Sequence, residues 1–358
     1  MRLSKIVFLF IASLAISSSS FAQGRQLKKA EVAYDQYEFH KAMVHFKRAY
    51  SKSSDRTQKI EMSFKLAECA RRIGNYRQAE SYYKRTIKMR YDDPIALLYL
   101  AMMQRNLGKF DDAIKTFTLY SDKVPEDIRA QEAIESCELA LEWTENPTRY
   151  AVSNMKGINS KNDDRMPAFA NNDYTLLMFT TARKGVTGRN ISDQTGQFFT
   201  DVWLTELEKS KKRRGRSSNK KSKPKWSEPL SLGEHFGTED VINTKSDEGA
   251  VALNERGNLM YFTRAMMKKN EAHVPRIYSA IKKGGEWEVP LELSLPIDSN
   301  YMVIFPCLSP DEKILYFVSD MPGGEGDFDI WMSEYNKRKD VWAEPVNLGP
   351  EVNTDGPE

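Results

Sequence analysis

The sequence is short of the residues that build covalent or catalytic chemistry. Three cysteines in 358 residues make a poor disulfide framework. Cys69 and Cys137 fall within helical patterns and Cys307 within a strand pattern, which suits buried thiols. Only four histidines occur. His40 and His45 are five residues apart, a spacing that does not set both on one helix face for a metal. His235 and His273 sit in loop-like stretches and are expected at the surface. No G-x-S-x-G elbow, H-E-x-x-H pair or phosphate-binding glycine loop is present. The stretch from Gly323 to Asp329 pairs carboxylates with glycines, but without the spacing of a twelve-residue calcium loop, and reads as a turn. The chain is accordingly expected not to be an enzyme and to take no cofactor or metal.

Long apolar runs are also scarce. The one near the N-terminus, Ile6 to Ile16, follows Arg2 and Lys5 and precedes Ser20 and Ala22 at the minus-three and minus-one positions of a cleavage site. Residues 1–22 therefore read as a secretory signal peptide cut before Gln23. The run is too short to span a bilayer, and no cysteine follows it to accept a lipid. The mature chain is expected to have no transmembrane segment. Acidic residues are missing from one stretch, Lys209 to Lys225, which holds ten basic residues; taking those ten from the formal charge of +3 leaves −7. The basic run is a loop insertion in a mildly acidic protein, and it gives no ground for nucleic-acid binding.

Proline is nearly absent from Lys28 to Trp143, where only Pro94 and Pro125 occur, and apolar residues recur there at helical spacing. Ala42, Ala79 and Ala113 are each followed four residues later by an aromatic, Phe46, Tyr83 and Phe117. Ala79 and Ala113 stand 34 residues apart, with the turns Gly74-Asn75-Tyr76 and Gly108-Lys109-Phe110 before them. This pattern resembles the tetratricopeptide repeat (TPR): Ala67, Ala79 and Tyr83 match it in the second unit, Ala101, Ala113 and Phe117 in the third, and Ala30, Ala33, Ala42 and Phe46 more loosely in the first. Glu126 to Trp143 would be a closing helix that covers the last repeat. The resemblance implies a concave, partner-binding face carrying Phe64, Glu68, Arg71, Leu98, Met102 and Arg105. The lysine and asparagine pairs that clamp a free C-terminal carboxylate are absent from these positions.

After Asn146-Pro147 the period changes to that of strands and tight turns. NNDYTLLMFTT (171–181), NERGNLMYFTR (254–264) and SPDEKILYFVS (309–319) are one motif, a polar turn running into a strand. Each is followed by a second strand and then by Trp226-Ser-Glu-Pro, Trp287-Glu-Val-Pro or Trp342-Ala-Glu-Pro. Units of about 50 residues with a placed tryptophan are blade-like. They resemble TolB-like β-propeller repeats, most fully at Ser309-Pro310-Asp311 with Leu315-Tyr316-Phe317; Asn171-Asn172-Asp173 and Leu253-Asn254-Glu255 depart from that form. Three units and the lead-in to a fourth fit before residue 358, so the chain is expected to be incomplete at its C-terminus.

The expected order is α then β: a signal peptide (1–22), a TPR α-solenoid with closing helix (23–146) and a partial TolB-like β-propeller (147–358). This order resembles PorE-like periplasmic components of the type IX secretion system and related OmpA-family envelope proteins. The resemblance implies a non-enzymatic scaffold that docks envelope or secretion-system proteins in the periplasm, near the outer membrane or cell wall. Peptidoglycan binding is implied only for a longer parent chain carrying an OmpA-type domain. The alternative is the regulatory propeller of a peptidase or glycan-processing enzyme whose catalytic domain lies elsewhere.

Overall fold

The computed structural model describes residues 24–188, 191–208, 225–265 and 274–356. Residues 1–22, His273 and all of the basic run except Lys225 lie outside the described residues. The chain divides into two compact units, one reaching Val152 and including Ser192–Gly196, the other Ser153–Ile191 with Gln197 onward.

The first unit is a stack of helices: α1 (24–35), α2 (Phe39–Lys52), α3 (Arg56–Arg72), α4 (Tyr76–Lys88), α5 (Ile95–Asn106), α6 (Phe110–Ser121) and α7 (Ile128–Glu145). Helices pair as α1–α2, α3–α4 and α5–α6, and the small residues explain why. Ala30, Ala42, Ala67, Ala79, Ala101 and Ala113 are fully buried where helices cross, because no larger side chain lets two backbones approach so closely. Beside them Phe46, Tyr83 and Phe117 fill the space between pairs. Gly74 and Gly108, at φ +75° and +71°, turn the chain between helices in the left-handed region that other residues avoid.

Caps fix where the helices begin. The Asp55 carboxylate accepts from the N–H groups of Thr57 and Gln58, Asn75 from Gln78, and Asp127 from Arg129. No side chain caps α2. Its orphan N–H groups at His40 and Lys41 instead donate to the carbonyls of Gln194 and Asp193, both at 3.1 Å, and Lys41 pairs with the Asp193 carboxylate at 2.9 Å. The short segment Ser192–Gly196 thus does for α2 what a capping residue does elsewhere.

The second unit holds three antiparallel blades built to one plan. The first comprises β1 (Asp164–Phe169), β2 (Leu176–Thr181), β3 (Asp201–Glu208), β4 (Lys225–Trp226) and β5 (Leu230–Ser231), with a short helix α8 (Leu232–Phe236) after it. The second runs β6 (Asp247–Leu253), β7 (Leu259–Ala265), β8 (Arg276–Lys283), β9 (Glu286–Trp287) and β10 (Leu291–Glu292). The third runs β11 (Val303–Leu308), β12 (Ile314–Ser319), β13 (Asp329–Asn336), β14 (Val341–Trp342) and β15 (Val346–Asn347). Three neighbouring strands pair in sequence order, and the third then pairs with both short strands. Apolar cores lie between blades: Met178, Leu204, Val251 and Phe262 share one, Tyr261, Ile277, Val303 and Phe317 another. This is the propeller arrangement, preceded by a TPR solenoid, that the sequence predicts.

The three hairpin turns use different residues for one job. Asn171 Oδ1 accepts from the N–H groups of Thr175 and Leu176, Asn254 Oδ1 from Asn258 and Leu259, and Ser309 Oγ from Lys313 and Ile314, all between 2.9 and 3.2 Å. Three residues after each acceptor the chain enters positive φ, at Tyr174, Gly257 and Glu312. The asparagines therefore replace the serine of the motif without loss of chemistry. A second device lies in the first strand of each blade, where register slips at Met166, Ala250 and Phe305 (φ 53°, 51° and 55°), a β-bulge in each case.

Two expectations need correction. Cys307 is exposed, because the bulge at Phe305 turns its side chain away from the core. His235 is half-buried on α8, edge-on to Phe236 at 4.7 Å between ring centres, since a Ser231–Glu234 capping box makes a helix of what reads as loop.

Candidate functional site

The six residues expected on the concave face all lie on α3 and α5, where the repeat spacing sets them on successive first helices. The structure divides them. Leu98 is 2% exposed and belongs to the core shared with Phe117 and Cys137, so it presents nothing to a partner. Glu68 is 5% exposed and committed internally. Phe64, Arg71, Met102 and Arg105 are half-buried.

Glu68 is the centre of a network. Arg71, one turn on, grips it with two hydrogen bonds, Nε at 3.0 Å and Nη2 at 2.7 Å, and the Tyr83 hydroxyl donates to the same carboxylate from α4. The guanidinium also lies 4.2 Å from the Tyr99 ring centre. Burial, and then the Glu68 charge, push the Tyr83 hydroxyl well above its ordinary range, so it stays a donor. Burial likewise pushes the Cys69 thiol up to about 12, which leaves it a packing residue.

Aromatic rings extend the network. Phe64 stacks on Tyr91 with ring centres 4.6 Å apart and meets Tyr83 edge-on at 6.0 Å; Tyr99 lies 5.9 Å from Tyr83. The result is a ridge of half-buried rings, Phe64, Tyr91 and Tyr99, held by a buried ion pair. Arg71 is therefore a support for this ridge, with Nε and Nη2 already engaged by Glu68. Arg105 has no ion-pair partner among the described residues. The repeat pattern alone does not single out Tyr91 and Tyr99. Tyr99 stands three residues before Met102, a helical neighbour position that would have disclosed it.

Among the described residues of the blades, many polar side chains are used as fasteners. The Asp329 carboxylate accepts from the N–H groups of Glu325 and Gly326 and from Asn347. A Cβ at Gly324 would stand 1.4 Å from Asp329 Oδ2, so glycine is required there to close the turn. Among the described residues, no group of three or more histidine, cysteine or carboxylate side chains is placed to hold a metal. No helix among them is long and apolar enough to cross a membrane.

Residues 64–128 match the family model of the tetratricopeptide repeat. A search of curated proteins finds no match. Among solved structures, the chain is similar to the C-terminal TPR-containing domain of a Plasmodium falciparum FK506-binding protein, at 14% identity over 37% of this chain and 95% of that one, with a TM-score of 0.33. It is similar to the Arabidopsis OM64 TPR domain at 16% identity, over 34% and 98% of the two chains, with a TM-score of 0.30. The similarity to TolB from Acinetobacter baumannii is 16% in identity and covers 52% of this chain and 33% of TolB, with a TM-score of 0.29. Its helical half carries TPR repeats, and its other half is built of propeller blades.

Proposed function

We propose that the protein is a non-enzymatic scaffold that docks other proteins of the bacterial envelope through its helical repeats. The observation that carries this reading is the half-buried ridge of Phe64, Tyr91 and Tyr99, with Arg71 over the Tyr99 ring and Arg105, which has no ion-pair partner among the described residues, farther along α5. Aromatic rings flanked by an arginine are the side chains that anchor protein interfaces. TPR arrays mediate protein–protein interaction, and TPR repeats followed by TolB-like blades resemble PorE-like components of the type IX secretion system. On this reading the N-terminal segment directs export to the periplasm, the blades provide a second docking module, and peptidoglycan is reached only through a further domain of a longer chain.

The test is a photo-crosslinking amino acid placed at Arg105 of the full chain, expressed in a bacterium that carries the secretion system. Crosslinks to envelope proteins that disappear when Tyr99 and Met102 are changed to alanine are the expected result, with the chain recovered from the periplasm beginning at Gln23. Cytoplasmic recovery of an uncut chain overturns the localisation. Crosslinks indifferent to Tyr99 and Met102 overturn the docking face.

A further inference from the structure

The two ends of the helical stack carry opposite charge. Aligned on the crossing alanines Ala30, Ala67 and Ala101, the positions that α3 fills with Met62, Leu66 and Cys69, and α5 with Ala96, Leu100 and Met103, are buried apolar residues. In α1 the same positions are Arg25, Lys29 and Val32. Nothing among the described residues covers them: Arg25 and Lys29 are exposed, and Val32 is 49% exposed. A terminal repeat needs a polar outer face for solubility, and that need alone accounts for the loss of apolar residues. It does not account for the excess of one sign. Arg25, Lys28 and Lys29 have no carboxylate partner among the described residues, and they line a cleft of about 440 Å³ between α1 and α2 with Val32, Gln36, Lys41 and one carboxylate, Glu38, which pairs with Lys41 at 2.8 Å.

The other end is acidic. α7 buries Ala130, Ala133 and Cys137 against the stack. Its opposite side exposes Ile128, Glu132, Glu135, Leu139, Glu142 and Trp143, spaced to form one stripe. None of these glutamates has a cationic partner among the described residues. From Ile128 to Trp143 the stripe runs about 22 Å and α1 about 17 Å at 1.5 Å per residue, so the two are comparable in length and opposite in sign. Each also sets apolar residues among its charges, Val32 at one end and Ile128, Leu139 and Trp143 at the other.

We infer that the chain associates head to tail, the α7 face of one copy docking on the α1 cleft of the next and continuing the repeat stack across molecules. Such a contact is heterologous and leaves a free face at each end, so it propagates into oligomers of no fixed number. This surface is separate from the ridge on α3 and α5, so either can fail without the other.

The experiment is sedimentation velocity of the full chain with two charge-reversed variants, Lys28→Glu/Lys29→Glu and Glu132→Lys/Glu135→Lys. All four positions are exposed, and circular dichroism checks that the fold is kept. The wild-type chain should associate in a concentration-dependent way in low salt, and the association should weaken about tenfold or more when salt is raised to a few hundred millimolar. Each variant alone should be monomeric, since it presents the same sign at both ends, and mixing the two should restore association. A wild-type chain that stays monomeric at about 100 µM in low salt, a concentration at which a contact of this strength would populate dimers, overturns the inference and leaves the cleft to an acidic partner of another kind. Association that survives both reversals, or variants that fail to recombine, overturns it equally.

Discussion

The backbone N–H of Ala250 donates to the Thr180 hydroxyl at 3.1 Å, across the boundary between the first and second blades. Phe305 and Thr263 repeat the relationship between the second and third, at 3.0 Å. The donor in each case is the bulge residue, whose N–H the slip in register has removed from its own ladder. The bulge thus turns a backbone donor toward the neighbouring blade, and the threonine receives it.

Thr180→Val keeps the shape of the side chain and removes the acceptor, leaving a buried N–H without a partner. The expected cost is about 1–3 kcal/mol. Thr263→Val should cost less, since Phe305 is 41% exposed and water can reach its N–H. Urea denaturation followed by tryptophan fluorescence measures both, and equal effects would show that the bond itself is not what Thr180 contributes.

Arg71 and Arg105 occupy matching places in neighbouring repeats but should respond differently to truncation. Arg71→Ala leaves the Glu68 carboxylate buried with only Tyr83 as a partner, at a cost of about 3 kcal/mol. Arg105→Ala breaks no ion pair and should stay within about 0.5 kcal/mol. Helical circular dichroism against temperature separates them; a small effect at Arg71 would mean that its pair with Glu68 adds little to the stability of the repeats.

Thiol reactivity should follow exposure. In the folded protein only Cys307 is exposed, while Cys69 and Cys137 are buried and burial raises both thiols, Cys69 to about 12. A thiol reagent should therefore modify one cysteine rapidly in the native chain and all three after denaturation without reductant. Fewer than three in the denatured chain would reveal a disulfide and upset the repeat alignment.

The blades should gain stability as the medium becomes mildly acidic. Burial raises the Asp201 carboxyl to about 6 and Glu248 to about 7, the latter despite Arg264 at 2.9 Å. In the unfolded chain both ionise near 4. Between those values the folded state holds protons that the unfolded state has released, so stability falls as pH rises toward 7 and recovers on acidification, by about 1–3 kcal/mol. His235, lowered by burial, acts in the opposite sense below its ordinary 6.5. The decisive quantity is the difference between the native chain and Asp201→Asn from pH 7.5 to pH 5. An identical slope in both would remove Asp201 from the account.

Much of this architecture is legible in the sequence because repeats announce themselves by recurring residue types. The alanines at helix crossings and the turn-to-strand motif of each blade each have one structural explanation, and the structure uses them accordingly. Pairwise commitments were harder to read. Glu68 and Arg71 are three residues apart on a helix, a spacing at which opposite charges meet, yet whether such a pair faces a groove or closes on itself depends on Tyr83 and Tyr99 from other helices. Bulges are illegible for a similar reason: Met166, Ala250 and Phe305 share only an apolar side chain, which many strand residues have, and it is their common backbone conformation that identifies them.

Asn243 and Asn353, each followed by a threonine and lying after the last short strand of a blade, bear on how such a protein is inherited. Asn243, which precedes β6, brackets Val202 of β3 with its amide, accepting from the N–H at 2.7 Å and donating to the carbonyl at 2.9 Å. Asn353 holds Ile330 of β13 in the same way, at 2.8 and 3.1 Å. In the middle blade, the carbonyl of the corresponding residue, Ile277, accepts from the backbone N–H of Leu293. The stretch that links one blade to the next is thus a fastening of the blade before it. A duplication or a graft cut before Asn243 would carry away the clasp of the blade left behind, whereas a cut after Thr244 would leave each blade its own. The joints at which such proteins can be lengthened lie after these threonines, just ahead of the next blade's first strand.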